Sequence, residues 1–312
     1  MHIPDNFLSP PVWATLDAVA VPAVVVASRQ AQKFTGSNRL PLLGVMGAFV
    51  FAAQMINFPV GIGTSGHLVG ATLLACLLGP WSATLVMTAI LIVQALVFQD
   101  GGVLSLGANI VNMACIGVLA GYLPARFFFR SRWKSYGIFL GGAFSVLAAG
   151  VLALTELVVS GIRIPGTLLA ISLGLFTVNA LIEGAITLSV LRAIERLNPA
   201  ACEGASCVMN TSPVPVWRRV IPVLGIASVT LAAFGILIAS TLPDGLEHVA
   251  KHLGMPFGAH PLFHSPLSDY RIYALGPNWF SRVGAGLLGL LLVYLVCALG
   301  GHLLSRVRRS YS

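Results

Sequence analysis

Charged residues are scarce in this 312-residue chain. Only 18 Lys and Arg and 10 Asp and Glu are present, 9% of the sequence, whereas soluble domains carry roughly a quarter. Hydrophobic residues make up 57%, and the mean hydropathy is +0.89. This shortage excludes an ordinary soluble domain and predicts a polytopic membrane protein in contact with lipid. Because the excess positive charge falls in loops, it indicates membrane orientation and predicts no nucleic-acid partner.

Motifs for ATP hydrolysis or nucleophilic catalysis are also missing. A P-loop requires Gly-Lys-Ser/Thr, but none of the three lysines follows a glycine, and no Gly-x-Ser-x-Gly elbow occurs. An ATPase that drives this protein must therefore be another chain. The five cysteines are scattered, and Cys202 and Cys207 share a predicted cytoplasmic loop, which favours reduced thiols over a disulfide.

Apolar runs able to cross, or nearly cross, a hydrocarbon core of about 30 Å predict nine candidate helices. They are 12–28, 40–57, 67–80, 81–98, 106–124, 137–159, 168–192, 218–241 and 283–304. Gly79-Pro80-Trp81 predicts a tight helical hairpin between the third and fourth runs. The Gly-rich stretch before His67 predicts non-helical backbone at membrane depth.

Basic residues predict the topology. With the N-terminus outside, 14 of the 18 Lys and Arg fall on inner segments and four on outer segments, so the positive-inside rule predicts N-terminus out and C-terminus in. A cytoplasmic linker, 196–217, divides seven helices in 1–195 from a smaller unit, 218–312. That unit has two helices flanking an outer loop, 242–282.

The first two residues form a potential chelate. If the His2 amide loses its proton, the Met1 α-amine and that amide close a five-membered ring with a metal, and the amide and imidazole close a six-membered ring. The amine, whose pKa is about 8, gives up its proton readily. Such a planar nitrogen set suits Ni(II), Cu(II) or Co(II). We expect Met1 to be retained, since His2 is large, and no signal peptide is predicted. His67, on the same outer side, would supply a fourth nitrogen; a frayed N-terminus is the alternative.

Polar residues within apolar runs are candidates for function because their burial is costly. Four could orient the metal ligands or, equally well, form hydrogen bonds between helices: Asn57, Ser65, Asn109 and Asn112. Glu156 and Glu183 are also intramembrane, and the sequence assigns them no role.

Four histidines occur in the outer loop: His248, His252, His260 and His264. Residues four apart share one face of a helix, so His248 and His252 could capture a metal ion. The spacing differs from the His-Glu-x-x-His zinc-protease motif, and weak surface binding or simple solvation is the alternative.

Several motifs, in order, resemble the CbiM/NikM family of substrate-binding (S) components of energy-coupling factor cobalt and nickel transporters. They are Met1-His2-Ile3-Pro4-Asp5-Asn6-Phe7-Leu8-Ser9-Pro10, Ile56-Asn57-Phe58-Pro59-Val60, Gly63-Thr64-Ser65-Gly66-His67-Leu68, Leu78-Gly79-Pro80-Trp81 and Gly107-Ala108-Asn109-Ile110-Val111-Asn112-Met113. Asn6 departs from the Gly expected in many relatives, which should change the turn rather than the ligands. Residues 240–275 resemble the CbiN/NikN (PDGLE-type) auxiliary subunit.

The resemblance implies an all-α membrane protein with a seven-helix S-component core, fused to two further transmembrane helices flanking an extracytoplasmic loop. It implies Met1, His2 and His67 as metal ligands and no prosthetic group. The implied partners are a transmembrane coupling subunit of the CbiQ/NikQ type and cytoplasmic ATPases of the CbiO/NikO type.

The resulting prediction is a non-enzymatic substrate-capture subunit of an ATP-driven importer of Ni²⁺ or Co²⁺ in the cytoplasmic (inner) membrane. Nickel is slightly favoured. A stand-alone secondary transporter remains an alternative. An intramembrane metalloenzyme is less favoured, because a closed four-nitrogen square leaves no open coordination position.

Overall fold

The computed structural model describes residues 2–34, 40–61, 63–198, 217, 219–254, 263–276 and 278–310, and within them the chain is predominantly helical. The helices are α1 Pro10–Phe34, α2 Leu40–Gln54, α3 Ala71–Leu78, α4 Pro80–Phe98, α5 Leu106–Phe128, α6 Lys134–Val159, α7 Gly166–Leu197, α8 Val220–Ile238, α9 Gly245–His252 and α10 Trp279–Ser310. Two 3₁₀ turns, Ser268–Tyr270 and Tyr273–Leu275, precede α10.

Each predicted apolar run coincides with one of these helices, so the all-α membrane class is confirmed. Six described helices are long and apolar enough to cross a membrane: α1, α4, α5, α6, α7 and α10. Helix α2 and the apolar stretch Val220–Gly235 of α8 are shorter, and α3 has only eight residues. The division into seven and two spanning helices therefore stays a prediction.

The segment before α3 is not helical. Strands β1 (Phe58–Gly61) and β2 (Thr64–Gly66) pair antiparallel, and Gly70, with φ of 74°, is the N-cap of α3. Helix α3 ends at Gly79, with φ of 85°, and Pro80 begins α4 at once. Positive φ at both glycines gives the chain turns that side-chain-bearing residues rarely adopt, which confirms the predicted helical hairpin.

Close packing of small residues holds the core helices together. A Cβ on Gly142 of α6 would lie 2.7 Å from the Gly184 Cα of α7, so the two backbones touch directly. Small residues allow such approach where lipid offers no hydrophobic force between helices. Helix α7 can therefore present Asn179 and Glu183, both buried, to the segment around His67.

Candidate metal centre

Two histidines from distant parts of the chain meet at one end of the helical core. The His2 and His67 rings are parallel, with 5.2 Å between centroids and 4° between planes. Their exposed fractions are only 7% and 4%. His2 Nδ1 lies 3.2 Å from Asp100 Oδ1, and the buried His2 Nε2 has no hydrogen-bond partner among the described residues. The centre thus pairs two aligned imidazoles with an acidic neighbour.

The N-terminal segment is folded into the protein. The Ile3 side chain is fully buried. Its amide donates to Asn109 Oδ1 at 2.8 Å, and its carbonyl accepts from Asn109 Nδ2 at 3.1 Å and from the Gly102 amide at 2.9 Å. Three hydrogen bonds at the residue after His2 fix the backbone that carries the imidazole. The frayed-end alternative is wrong for residues 2–9.

Pro4 and Asp5 also form hydrogen bonds with the segment before α5. The Ser105 hydroxyl donates to the Pro4 carbonyl at 3.0 Å, and the Leu104 amide donates to Asp5 Oδ1 at 2.8 Å. Asn6 has φ of 68°. Asn is among the few non-glycine residues that accept this left-handed conformation readily. Asn6 therefore holds a left-handed turn at this position, and the expectation that the departure from Gly changes the turn rather than the ligands stays a prediction.

The His67 ring has a defined tautomer. Its Nδ1 lies 3.0 Å from the Leu68 carbonyl oxygen. A carbonyl only accepts hydrogen bonds, so Nδ1 carries the proton and Nε2 carries the lone pair that a metal would use. Burial, followed by neighbouring positive charge, lowers the pKa of His67 to about 3. The imidazole is consequently neutral at pH 7 and ready to act as a ligand.

Helix α7 holds the backbone around His67. Each oxygen of the Glu183 carboxylate accepts one backbone amide at 2.8 Å, from Val69 and from Gly70. Asn179 Nδ2 lies 3.4 Å from the His67 carbonyl oxygen. Glu183 has no exposed surface, so these two amides, rather than water, supply hydrogen bonds to its carboxylate. Glu183, to which the sequence assigned no role, therefore lies where it orients the candidate ligand His67.

Residues after position 240 also contact the centre. The Ser65 amide donates to the Pro243 carbonyl at 2.8 Å, and its hydroxyl donates to the Leu242 carbonyl at 2.7 Å. On the other side, the Tyr270 hydroxyl donates to Asp100 Oδ2 at 2.6 Å. The C-terminal unit thus contacts both the segment before His67 and the carboxylate beside His2.

The carboxylate of Asp100 is stabilised as an anion. Burial raises its pKa, but the charge and hydrogen bond of His2 and the hydrogen bond from Tyr270 lower the pKa by more. Asp244 also has a lowered pKa, because nearby positive charge outweighs the effect of burial. Two anionic side chains therefore lie close to the histidine pair, which favours a cation there.

Among the described residues, the others predicted to bind or orient a metal differ in their contacts with the His2–His67 centre. Met1 and His260 lie outside the described residues. Asn109 reaches the centre through Ile3, and Ser65 contacts residues 242–243. Asn112 donates to Glu156 at 2.9 Å, and the Asn57 carbonyl accepts from the Ser240 amide at 2.7 Å. His248 and His252 lie on α9, and His264 is exposed.

Sequence analysis missed Asp100, Asp244 and Tyr270 and left Glu183 without a role. The turn Asp100-Gly101-Gly102 before α5 was the available signal for Asp100. The described part of the chain contains no group of three or more His, Cys, Asp or Glu side chains that could hold a metal ion.

Comparison with known proteins identifies the family of this chain. Residues 2–201 match the CbiM model, described as the cobalt uptake substrate-specific transmembrane region. The chain belongs to the CbiM family. A PDGLE domain matches residues 218–306 of this CbiM-family protein. These matches confirm a fusion of the CbiM and PDGLE types in a family of metal transport proteins rather than enzymes.

Full-length and partial relatives agree with the family assignment. A protein of Lactiplantibacillus plantarum named "Probable fused nickel transport protein LarMN" is 33% identical, covering 88% of this chain and 90% of its own length. The cobalt transport protein CbiM of Acetoanaerobium sticklandii is 32% identical over 50% of this chain and 66% of its own. A crystal structure of a truncated transition metal transporter is 34% identical, with a TM-score of 0.56, over 63% of this chain and 99% of that one.

Proposed function

We propose that this protein is the metal-capturing subunit of an energy-coupling factor importer of Ni²⁺ or Co²⁺. The observation that carries the proposal is the buried, parallel pair His2 and His67. With metal–nitrogen bonds of about 2.1 Å, two imidazoles on one ion have centroids about 4.5 Å apart when cis and about 6.4 Å apart when trans. The distance of 5.2 Å falls between these limits.

The proposed ligands are the Met1 amine, the His2 amide, His2 Nδ1 and His67 Nε2. The hydrogen bonds of Ile3 support this set, because they fix the peptide that follows the chelating residue. The six-membered chelate uses His2 Nδ1, so metal binding replaces its contact with Asp100. The carboxylate orients the ring before the ion arrives and adds negative charge beside the cation afterwards.

Nickel is favoured slightly over cobalt. Amine, amide and imidazole nitrogens impose a planar field, which Ni(II) prefers. Cu(II) binds such donors more tightly still, so the supply of metal outside the cell contributes to selection. The relatives named for nickel and for cobalt transport are consistent with either ion.

The proposed organisation is a metal-binding core, 1–195, a cytoplasmic linker, 196–217, and an auxiliary unit, 218–312, in the inner membrane with the N-terminus outside. A coupling subunit of the CbiQ/NikQ type and ATPases of the CbiO/NikO type would supply the energy. Asn109 and Ser65 would support the centre through the contacts described above, Asn57 through its contact with Ser240, and Asn112 more remotely through Glu156.

Uptake in cells tests this function. We expect uptake of radioactive nickel or cobalt to require the ATPase partners, and His67→Ala to abolish it, because one of four nitrogens is lost. His302→Ala is the matched control, since His302 is exposed near the opposite end of the chain. Undiminished uptake without the ATPases would support a secondary transporter, and full uptake by His67→Ala would contradict the proposed ligand set.

Tyr270 offers a test of the contribution of the auxiliary unit. Tyr270→Phe removes the hydroxyl that binds Asp100, and the affinity for Ni²⁺ should fall about 10-fold, the lower limit for outer partners of metal ligands. Isothermal titration of the purified chain measures this change. Tyr273→Phe, at an exposed tyrosine in the same region, should leave the affinity unchanged. Equal affinities of the two variants would show that the hydroxyl does not support the centre.

A further inference from the structure

Helix α9 carries three candidate ligands at four-residue intervals. They are Asp244 at its N-cap, His248 in the middle and His252 at its last position. Side chains four apart lie on one face of a helix. Leu246, Val249 and Ala250 are buried on the opposite side, so the histidine face points outward while the helix stays packed on the protein.

The two histidines form a close pair. Their ring centroids are 4.2 Å apart, and His252 Nδ1 lies 2.9 Å from the His248 carbonyl oxygen. Nδ1 of His252 therefore donates to that carbonyl, and Nε2 is the ring nitrogen that a metal would use. Burial, His252 and Lys251 lower the pKa of His248, which favours its neutral form. Two imidazoles at this spacing match the histidine pair that binds zinc in His-Glu-x-x-His helices.

The helix begins beside the metal centre. The Asp244 backbone pairs with Ser65 of β2, two residues before His67. A capping box between Asp244 and Glu247 fixes this end of α9. Each four-residue step rises about 6 Å, so His248 and His252 lie about 6 and 12 Å further along the helix.

We propose that His248 and His252 form a second metal site, which captures Ni²⁺ or Co²⁺ from the outer solution and delivers it along α9 to the His2–His67 centre. The delivery step rests on the proposed function; the binding site does not. Two imidazoles leave the remaining coordination positions to water, so the ion exchanges readily. Weak binding suits capture, whereas a closed four-nitrogen centre suits retention.

Binding stoichiometry tests the site independently of the N-terminal centre. The full chain, purified without a polyhistidine tag, is titrated with Ni²⁺ after two residues, Met-Gln, are added before Met1 to block the main centre. This extended chain should retain one weak equivalent, and His248→Gln with His252→Gln should abolish it. His264→Gln, at an exposed histidine outside the pair, is the control and should keep it. Loss in the control, or retention in the double variant, would overturn the second site.

Loading kinetics test delivery. In the chain with its own N-terminus, the double variant should fill the main centre more slowly at limiting Ni²⁺, with unchanged affinity at equilibrium. An unchanged loading rate would overturn the capture role. If the extended chain still binds the tight equivalent, the N-terminal chelate fails, while the comparison of double variant and control still decides the second site.

Discussion

Adding two residues, Met-Gln, before Met1 is expected to abolish tight binding of Ni²⁺ or Co²⁺, although every side chain of the protein remains. The extension moves the α-amine away from the His2 amide, so the five-membered chelate can no longer form. Loss of a ligand should cost more than the 10- to 100-fold that loss of an outer partner costs. We therefore expect an affinity reduced by at least about 100-fold, measured by equilibrium dialysis of the tag-free chain.

The length of the extension matters. One added residue would make His2 the third residue, and the amine, two amides and imidazole could then form a four-nitrogen square without His67. Two added residues prevent this, and Gln as the second residue retains the new initiator. Adding Met-Gln after Ser312 is the matched control and should bind normally. Unchanged tight binding by the N-terminally extended chain would contradict the amine as a ligand.

Replacing Glu183 should have the largest effect among the residues that do not themselves bind metal. Glu183→Ala leaves the Val69 and Gly70 amides buried without their acceptors. An unsatisfied buried group costs about 1–3 kcal/mol, so two cost about 2–6 kcal/mol of stability. Thermal unfolding in detergent should show a clearly lower midpoint, and the displaced segment should weaken nickel binding at His67.

Glu183→Gln separates positioning from folding. Gln keeps the shape and one acceptor oxygen but directs an amide NH₂ at a backbone donor, so we expect a smaller stability loss and an affinity for Ni²⁺ reduced about 10-fold, as for other partners that orient a ligand. Glu195→Gln, at a partly exposed glutamate paired with Lys134, is the control. Wild-type affinity in a folded Glu183→Gln variant would show that the carboxylate stabilises the fold without orienting His67.

The auxiliary unit forms hydrogen bonds on two sides of the candidate metal centre. Ser65 meets Leu242 and Pro243 on one side of the centre, and Asp100 meets Tyr270 on the other. Gln99 also donates to the Phe263 carbonyl. These bonds attach residues of the PDGLE match to the segment before His67 and to the turn that places Asp100 beside His2. Changes in this unit can therefore alter metal binding without touching a ligand.

Local composition and short motifs in the sequence determined the membrane class and predicted the candidate histidine ligands. The scarcity of charge, 9% of residues, predicted membrane helices, since soluble domains carry roughly a quarter charged residues. The N-terminal Met-His dipeptide and the isolated His67 predicted two ligand sets from covalent chemistry alone. Gly79 and Pro80 predicted the helical hairpin because their backbone preferences are local.

Only the tertiary structure decided which polar residues support the centre. The sequence offered several intramembrane amide side chains and no reason to prefer Asn109 among them. Its two hydrogen bonds to Ile3 join residues 106 positions apart in the sequence. Glu183 and Tyr270 reach their partners across 114 and 170 residues. No local propensity encodes such pairings, because they arise when helix packing brings distant segments together. The candidate ligands follow from the chemistry of single residues, and their orientation follows from the fold.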